Sequence, residues 1–164
     1  MSKALYLILL LVFVPQVQAL EPAPDFSLPS LLNGQLSTEN KISLHQLRGK
    51  VVYLDFWASW CGPCLQSLPL FDKMYQQLNS KGLEIIAVNL DDDVDDALKF
   101  LDQHPVHFSI AYDNSGKTPE DYSIRVMPSS FLIDKEGRIV SRHSGFKVSD
   151  MAKIQSSIEK LLIQ

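Results

Sequence analysis

Apolar residues fall into a few blocks along the chain, and their spacing separates strands from helices. Val51-Val52-Tyr53-Leu54-Asp55-Phe56-Trp57 is nearly continuous in apolar, β-branched and aromatic residues, the pattern of a strand buried on both faces of a largely parallel sheet. Leu83-Glu84-Ile85-Ile86-Ala87-Val88-Asn89-Leu90, following Gly82, reads as a second such strand. Between them, Leu68, Phe71, Met74, Tyr75 and Leu78 recur at helical spacing and predict a helix over residues 62–78. Pro69 lies inside it and is expected to kink it, because proline removes a backbone hydrogen bond and crowds the preceding turn.

The flanking segments are read the same way. Glu21-Pro22-Ala23-Pro24 is extended, since each proline disfavours helix in the residue before it. Asp25-Phe26-Ser27-Leu28 alternates as a short strand, Asn33-Gly34 signals a turn, and residues 43–47 suit one helical turn. Val94, Leu98, Phe100 and Leu101 predict a helix that begins after the acidic run from Asp91, followed by a strand over residues 107–111. A short helical piece is expected around residues 119–122. Residues 129–134 and 138–141 flank Lys135-Glu136-Gly137 as a β-hairpin. The last helix is expected to start near Ser149, with Met151, Ile154, Ile158, Leu161 and Leu162 as its buried stripe. Strands and helices in this order make a sheet covered on both faces, an α/β sandwich in one domain.

The N-terminus departs from that pattern. Met1-Ser2-Lys3 leads into an apolar stretch over residues 4–14, then Pro15 and Val17-Gln18-Ala19. The stretch is about half of the roughly 20 residues a membrane-spanning helix takes. An export signal over residues 1–19, cleaved after Ala19, is therefore expected ahead of a domain over residues 20–164. Left uncleaved, the leader would serve as an anchor. Hydrophobic residues at 46% and charged residues at 21% suit a globular fold, and a net charge of −4 argues against a nucleic-acid surface.

The only two cysteines, Cys61 and Cys64, lie in Trp60-Cys61-Gly62-Pro63-Cys64. In an exported chain a cysteine pair is ordinarily a staple, but so short a loop removes little entropy from the unfolded chain. As a reversible two-electron couple the pair is well placed. Between a strand and a helix start, free N–H groups and the positive dipole end favour Cys61 as thiolate, the attacking species of exchange. Cys64, one helical turn on, resolves the mixed disulfide. Gly62 and Pro63 set the turn, and Trp57 and Trp60 are expected to shield the pair. A carboxylate within a doubly buried strand is costly without work or a partner. Asp55 is therefore expected to have a raised pKa and to move the proton of Cys64.

The segment from Leu54 to Cys64 closely resembles the active-site segment of thioredoxins. Pro69 matches that family's helix proline, and Arg125-Val126-Met127-Pro128-Ser129 resembles its cis-proline segment. The resemblance implies an α/β, thioredoxin-like three-layer sandwich with a central mixed sheet. It adds an N-terminal extension over residues 25–47 and an insert over residues 91–119, before the cis-proline segment. It implies catalysis by Cys61, Cys64 and Asp55, and client binding by Trp60, Gly62, Pro63, Met127 and Pro128, with no cofactor and no metal. The layout is similar to the exported, TlpA/ResA-like branch of redoxin-type proteins. That implies a monomer at the bacterial periplasm or outer face of the cytoplasmic membrane, reduced by a membrane thiol–disulfide carrier. It would reduce disulfides in exported clients, apocytochromes c among them. One departure is the absence of a lysine from the strand neighbouring Asp55, where thioredoxins carry one.

Other readings remain open at this stage. A disulfide oxidase or isomerase would use the same pair in the other direction, and a thioredoxin-fold chaperone would hold clients without turnover. Metal delivery has less support, since structural zinc takes four ligands and His104 and His107 flank Pro105 loosely. The run Asp91-Asp92-Asp93-Val94-Asp95-Asp96 lacks the glycine and glutamate of an EF-hand loop, so carboxylates at a helix N-terminus are the simpler account.

Overall fold

The computed structural model describes residues 19–164 apart from Asn33. The expected leader therefore lies, save for Ala19, outside the described residues, as does Asn33 of the expected turn. Seven strands and four α-helices follow in the order β1 (Ser27–Leu32), β2 (Gln35–Ser43), β3 (Val51–Trp57), α1 (Gly62–Leu78), β4 (Leu83–Asn89), α2 (Val94–Gln103), β5 (Ser109–Tyr112), α3 (Lys117–Asp121), β6 (Ser129–Ile133), β7 (Ile139–Ser144) and α4 (Met151–Leu162). Turns of 3-10 helix occupy Leu44–Leu47, Asn79–Lys81 and Val148–Asp150.

The strands form one mixed sheet ordered β2-β1-β5-β4-β3-β6-β7. The strands β3, β4 and β5 run parallel, and the other pairings are antiparallel. All seven residues of β3 are buried, which accounts for its lack of polar alternation. Its odd-numbered residues Val51, Tyr53 and Trp57 join α1, α2 and α4 in one core. Its even-numbered residues Val52, Leu54 and Phe56 join a second core with Phe26, Leu44, Tyr122 and Phe131. The period of two along a strand thus builds the expected three layers from one heptapeptide.

Helix α1 runs unbroken through Pro69, as the apolar spacing predicts. The N-terminal extension is a β1–β2 hairpin at one sheet edge, and α2, β5 and α3 fill the insert between β4 and β6. Four points differ from expectation. The nine-residue β2 was not anticipated, because as a largely exposed edge strand it needs no apolar alternation. The short strand expected at residues 25–28 begins only at Ser27, and β5 starts two residues later than expected. Ser149 is not the cap of α4 but lies inside the preceding 3-10 turn, where the Asp150 carboxylate accepts from the Lys147 N–H at 2.9 Å.

Candidate active site

The C-terminal end of β3 passes through Ala58-Ser59-Trp60 into α1, and this junction carries the cysteines. Cys61 is the N-cap of α1, Pro63 stands in the first turn, and Cys61 and Cys64 are joined in a disulfide with Cα atoms 5.3 Å apart. The Cys64 N–H points at Cys61 Sγ, 3.3 Å away. That is the free helix-end donor expected to favour a thiolate at Cys61 once the bond opens. Cys61 is 5% exposed and Cys64 fully buried, so an incoming sulfur reaches Cys61 first.

The loop before the cysteines is held by a group that sequence reasoning missed. Asp91, buried just past β4, accepts from the Ser59 N–H with both oxygens, at 3.1 and 3.0 Å, and from Ser59 Oγ at 3.0 Å. The Asn89 amide donates to it at 2.7 Å, and its own N–H donates back to Asn89 Oδ1 at 3.1 Å. The acidic run therefore divides. Asp93 caps α2 through the Asp95 N–H, as expected of carboxylates at a helix N-terminus, whereas Asp91 fastens the redox loop.

Asp55 is completely buried, in the middle of β3. By the strand's alternation it faces the core containing α1 and Cys64. Burial pushes its pKa up to about 7, only partly offset by a hydrogen bond from Ser130 Oγ at 2.7 Å. The residue across from it on β4 is Ala87, so no cation compensates the charge there; Ser130, its register partner on β6, is the group that does. Ser130 was not anticipated, although two adjacent serines in a strand buried throughout are a signal that hydroxyls have partners inside.

The peptide bond between Met127 and Pro128 is cis. Pro128 is buried, Met127 half-buried, and the Gly145 N–H donates to Pro128 O at 2.8 Å. Among the described residues neither the N–H nor the C=O of Met127 takes a hydrogen bond, so both are available to an extended chain. Trp60 is 70% exposed, and Gly62, Pro63 and Val126 are exposed as well. Trp57 departs from expectation. It is fully buried and packs on Phe100 with ring centroids 5.4 Å apart, so it is core rather than a shield.

The chain matches known proteins over nearly its whole length. The redoxin family profile matches residues 18–161. The thiol-disulfide oxidoreductase ResA of a Bacillus cereus strain is 32% identical over 146 residues, 89% of this chain and 80% of that protein. Among solved structures, a candidate thiol:disulfide interchange protein DsbE from Chlorobium tepidum superposes with a TM-score of 0.81. It is 42% identical and covers 88% of this chain and 98% of its own. StoA from Bacillus subtilis gives a TM-score of 0.66 at 26% identity, covering 82% of this chain and 97% of its own.

Proposed function

This chain belongs to the redoxin family of thioredoxin-fold thiol-disulfide oxidoreductases, and we propose that it acts as a reductase of disulfides in exported proteins. The observation that carries the direction is Asp55. A couple becomes a strong oxidant when its thiolate is stabilised. Here a fully buried carboxylate with no cation on the neighbouring strand faces the core that holds Cys64. Its charge opposes thiolate at the cysteines, which favours giving electrons away.

In the proposed cycle Cys61 attacks a client disulfide while the client backbone pairs with Met127 beside Pro128, against Trp60, Gly62 and Pro63. Asp55 takes the Cys64 proton, the Cys64 thiolate displaces the client from Cys61, and the Cys61–Cys64 disulfide forms. A membrane thiol–disulfide carrier returns the electrons. An extracytoplasmic location and apocytochromes c as clients complete the reading; they rest on the resemblance to the ResA-type branch and on the apolar leader.

The test is Cys64→Ser in the intact chain. It is expected to accumulate mixed disulfides between Cys61 and exported proteins, with clients bearing haem-attachment cysteines among them. A client set without exported proteins would end this reading. A reduction potential near thioredoxin's, about −270 mV, is expected, and one above about −150 mV would instead assign oxidase activity.

A further inference from the structure

Asp55 is sealed from solvent, so any proton it takes from Cys64 needs a way out. The structure contains one that the reaction as described does not use. Between α4, β7 and the helix-facing side of β3 and β6 lies a cavity of about 120 Å³. Tyr53 and Ser130 line it from the sheet, Ser157 and Lys153 from α4, and His143 and Asp150 from β7 and the turn before α4. We infer that Asp55 exchanges protons with solvent through this cavity, relayed by Ser130, Tyr53 and bound water to the His143–Asp150 pair. The inference rests on the reading of Asp55 as the proton acceptor for Cys64.

Three features support the route. Ser130 is shared, because it lines the cavity and its hydroxyl donates to Asp55 Oδ1 at 2.7 Å. Tyr53 stands two residues from Asp55 on the same strand and therefore on the same face. Ser130 lies close to the phenol but gives its hydrogen to Asp55. Among the described residues Tyr53 Oη and Asp55 Oδ2 are thus both buried without a hydrogen-bond partner. Such groups are costly unless water serves them, and the cavity has room for several waters at about 30 Å³ each. At the outer end His143 Nε2 lies 3.2 Å from Asp150 Oδ2, and both side chains are about one-third exposed. Burial, and then the charges of Asp55 and Asp150, raise the Tyr53 pKa and keep the phenol protonated.

The charged groups around the route are few. Lys153 of α4 and the His143–Asp150 pair face the cavity, and Cys64 lies across the same core on α1. Arg142 contributes to the wall, but its guanidinium stacks over Phe131 at 5.3 Å and pairs with Glu21. In the resolving step the Cys64 S–H bond breaks and its proton passes to Asp55. The Cys64 thiolate then forms the bond to Cys61 Sγ while the client sulfur leaves with the electron pair and takes a proton from solvent. The proton on Asp55 departs through Ser130, Tyr53 and water.

The experiment mixes the reduced full chain with rising concentrations of bis(2-hydroxyethyl) disulfide. The initial slope reads attack by Cys61, and the plateau rate reads resolution by Cys64. Asp55→Asn is expected to lower the plateau about 100-fold, and Tyr53→Phe and Ser157→Leu about 10-fold each, as for impaired general acid–base transfer. The slopes of Tyr53→Phe and Ser157→Leu should be unchanged, and both cavity variants should raise the solvent deuterium effect on the plateau. Ser157→Ala, which leaves the cavity open, should keep the parent rate; a loss equal to that of Ser157→Leu would overturn the route. An unchanged plateau in Asp55→Asn removes the underlying role of Asp55 and the route with it. Slowing in Asp55→Asn without slowing in Tyr53→Phe and Ser157→Leu removes the route alone.

Discussion

Asp55 costs the fold stability and, in the proposed cycle, gives the site its base. An acid whose pKa rises on folding, here from 3.8 to about 7, keeps its proton in the folded chain over a range where the unfolded chain has lost it. Below pH 3.8 the acid is neutral in both states and burial carries no penalty. Stability then falls as pH rises towards 7, and above that the whole penalty is present. At about 1.4 kcal/mol per pKa unit, it amounts to a few kcal/mol. Asp55→Asn in the oxidised protein is therefore expected to raise the denaturation midpoint at about pH 8 and leave it nearly unchanged at about pH 4. Urea unfolding at the two pH values checks this, and equal stabilisation at both would contradict it. The same substitution should slow exchange, so one residue trades stability for chemistry.

At the scale of elements, the site is where β3, α1 and the end of β4 meet. The cysteines ride on the first turn of α1, but the loop that delivers them is tied to β4 through Asp91 and Ser59. Removing the carboxylate leaves the part-buried Ser59 N–H and the fully buried Asn89 amide without their acceptor. Asp91→Ala is expected to cost about 2–4 kcal/mol, as for a buried donor left beside a lost charged acceptor. Attack by Cys61 should slow, because the loop before it is no longer held. Thermal unfolding together with rates on a small disulfide reads both effects. Ser59→Ala, which keeps the backbone donor, should show a smaller loss of each. The acidic run announced a helix cap, and three of its members serve one; that Asp91 turns back to the loop was not legible, because its partner is 32 residues away. The edge strand β2 was illegible for a different reason, since exposure on both faces removes the pattern by which strands are read.

For the molecule as a whole, the sheet separates a helix-covered core that holds the chemistry from a second core closed by the lead-in segment and α3. Tyr122 joins the two ends of that second layer. Its ring packs against Phe56 and Phe131, with centroids 5.4 and 4.9 Å away, and its hydroxyl donates to Pro24 O at 2.7 Å. Tyr122→Phe keeps the packing and removes the tether. It is expected to cost about 1 kcal/mol, with faster amide exchange in the segment around Ala23 and Phe26 and no change in the exchange rate of the cysteines. A change in cysteine reactivity would mean that the two cores communicate across β3.

What the sequence alone determined is what depends on near neighbours. The unbroken apolar run of β3, the helical spacing of α1 and the order of strands and helices follow from local periodicity. The polarity of Cys61 over Cys64 follows from a helix start, and the identity of Asp55 as a misplaced charge follows from the residues beside it. What tertiary structure decided is which distant groups answer those features. Ser130 stands opposite Asp55 only because β6 pairs antiparallel with β3 in one register, and a shift of one residue would have turned its hydroxyl to the other core. Asp91 meets Ser59, Trp57 sinks among the core aromatics, and the cavity beside Tyr53 forms under α4 for the same reason. Periodicity says which face a side chain takes, and only packing says what waits there.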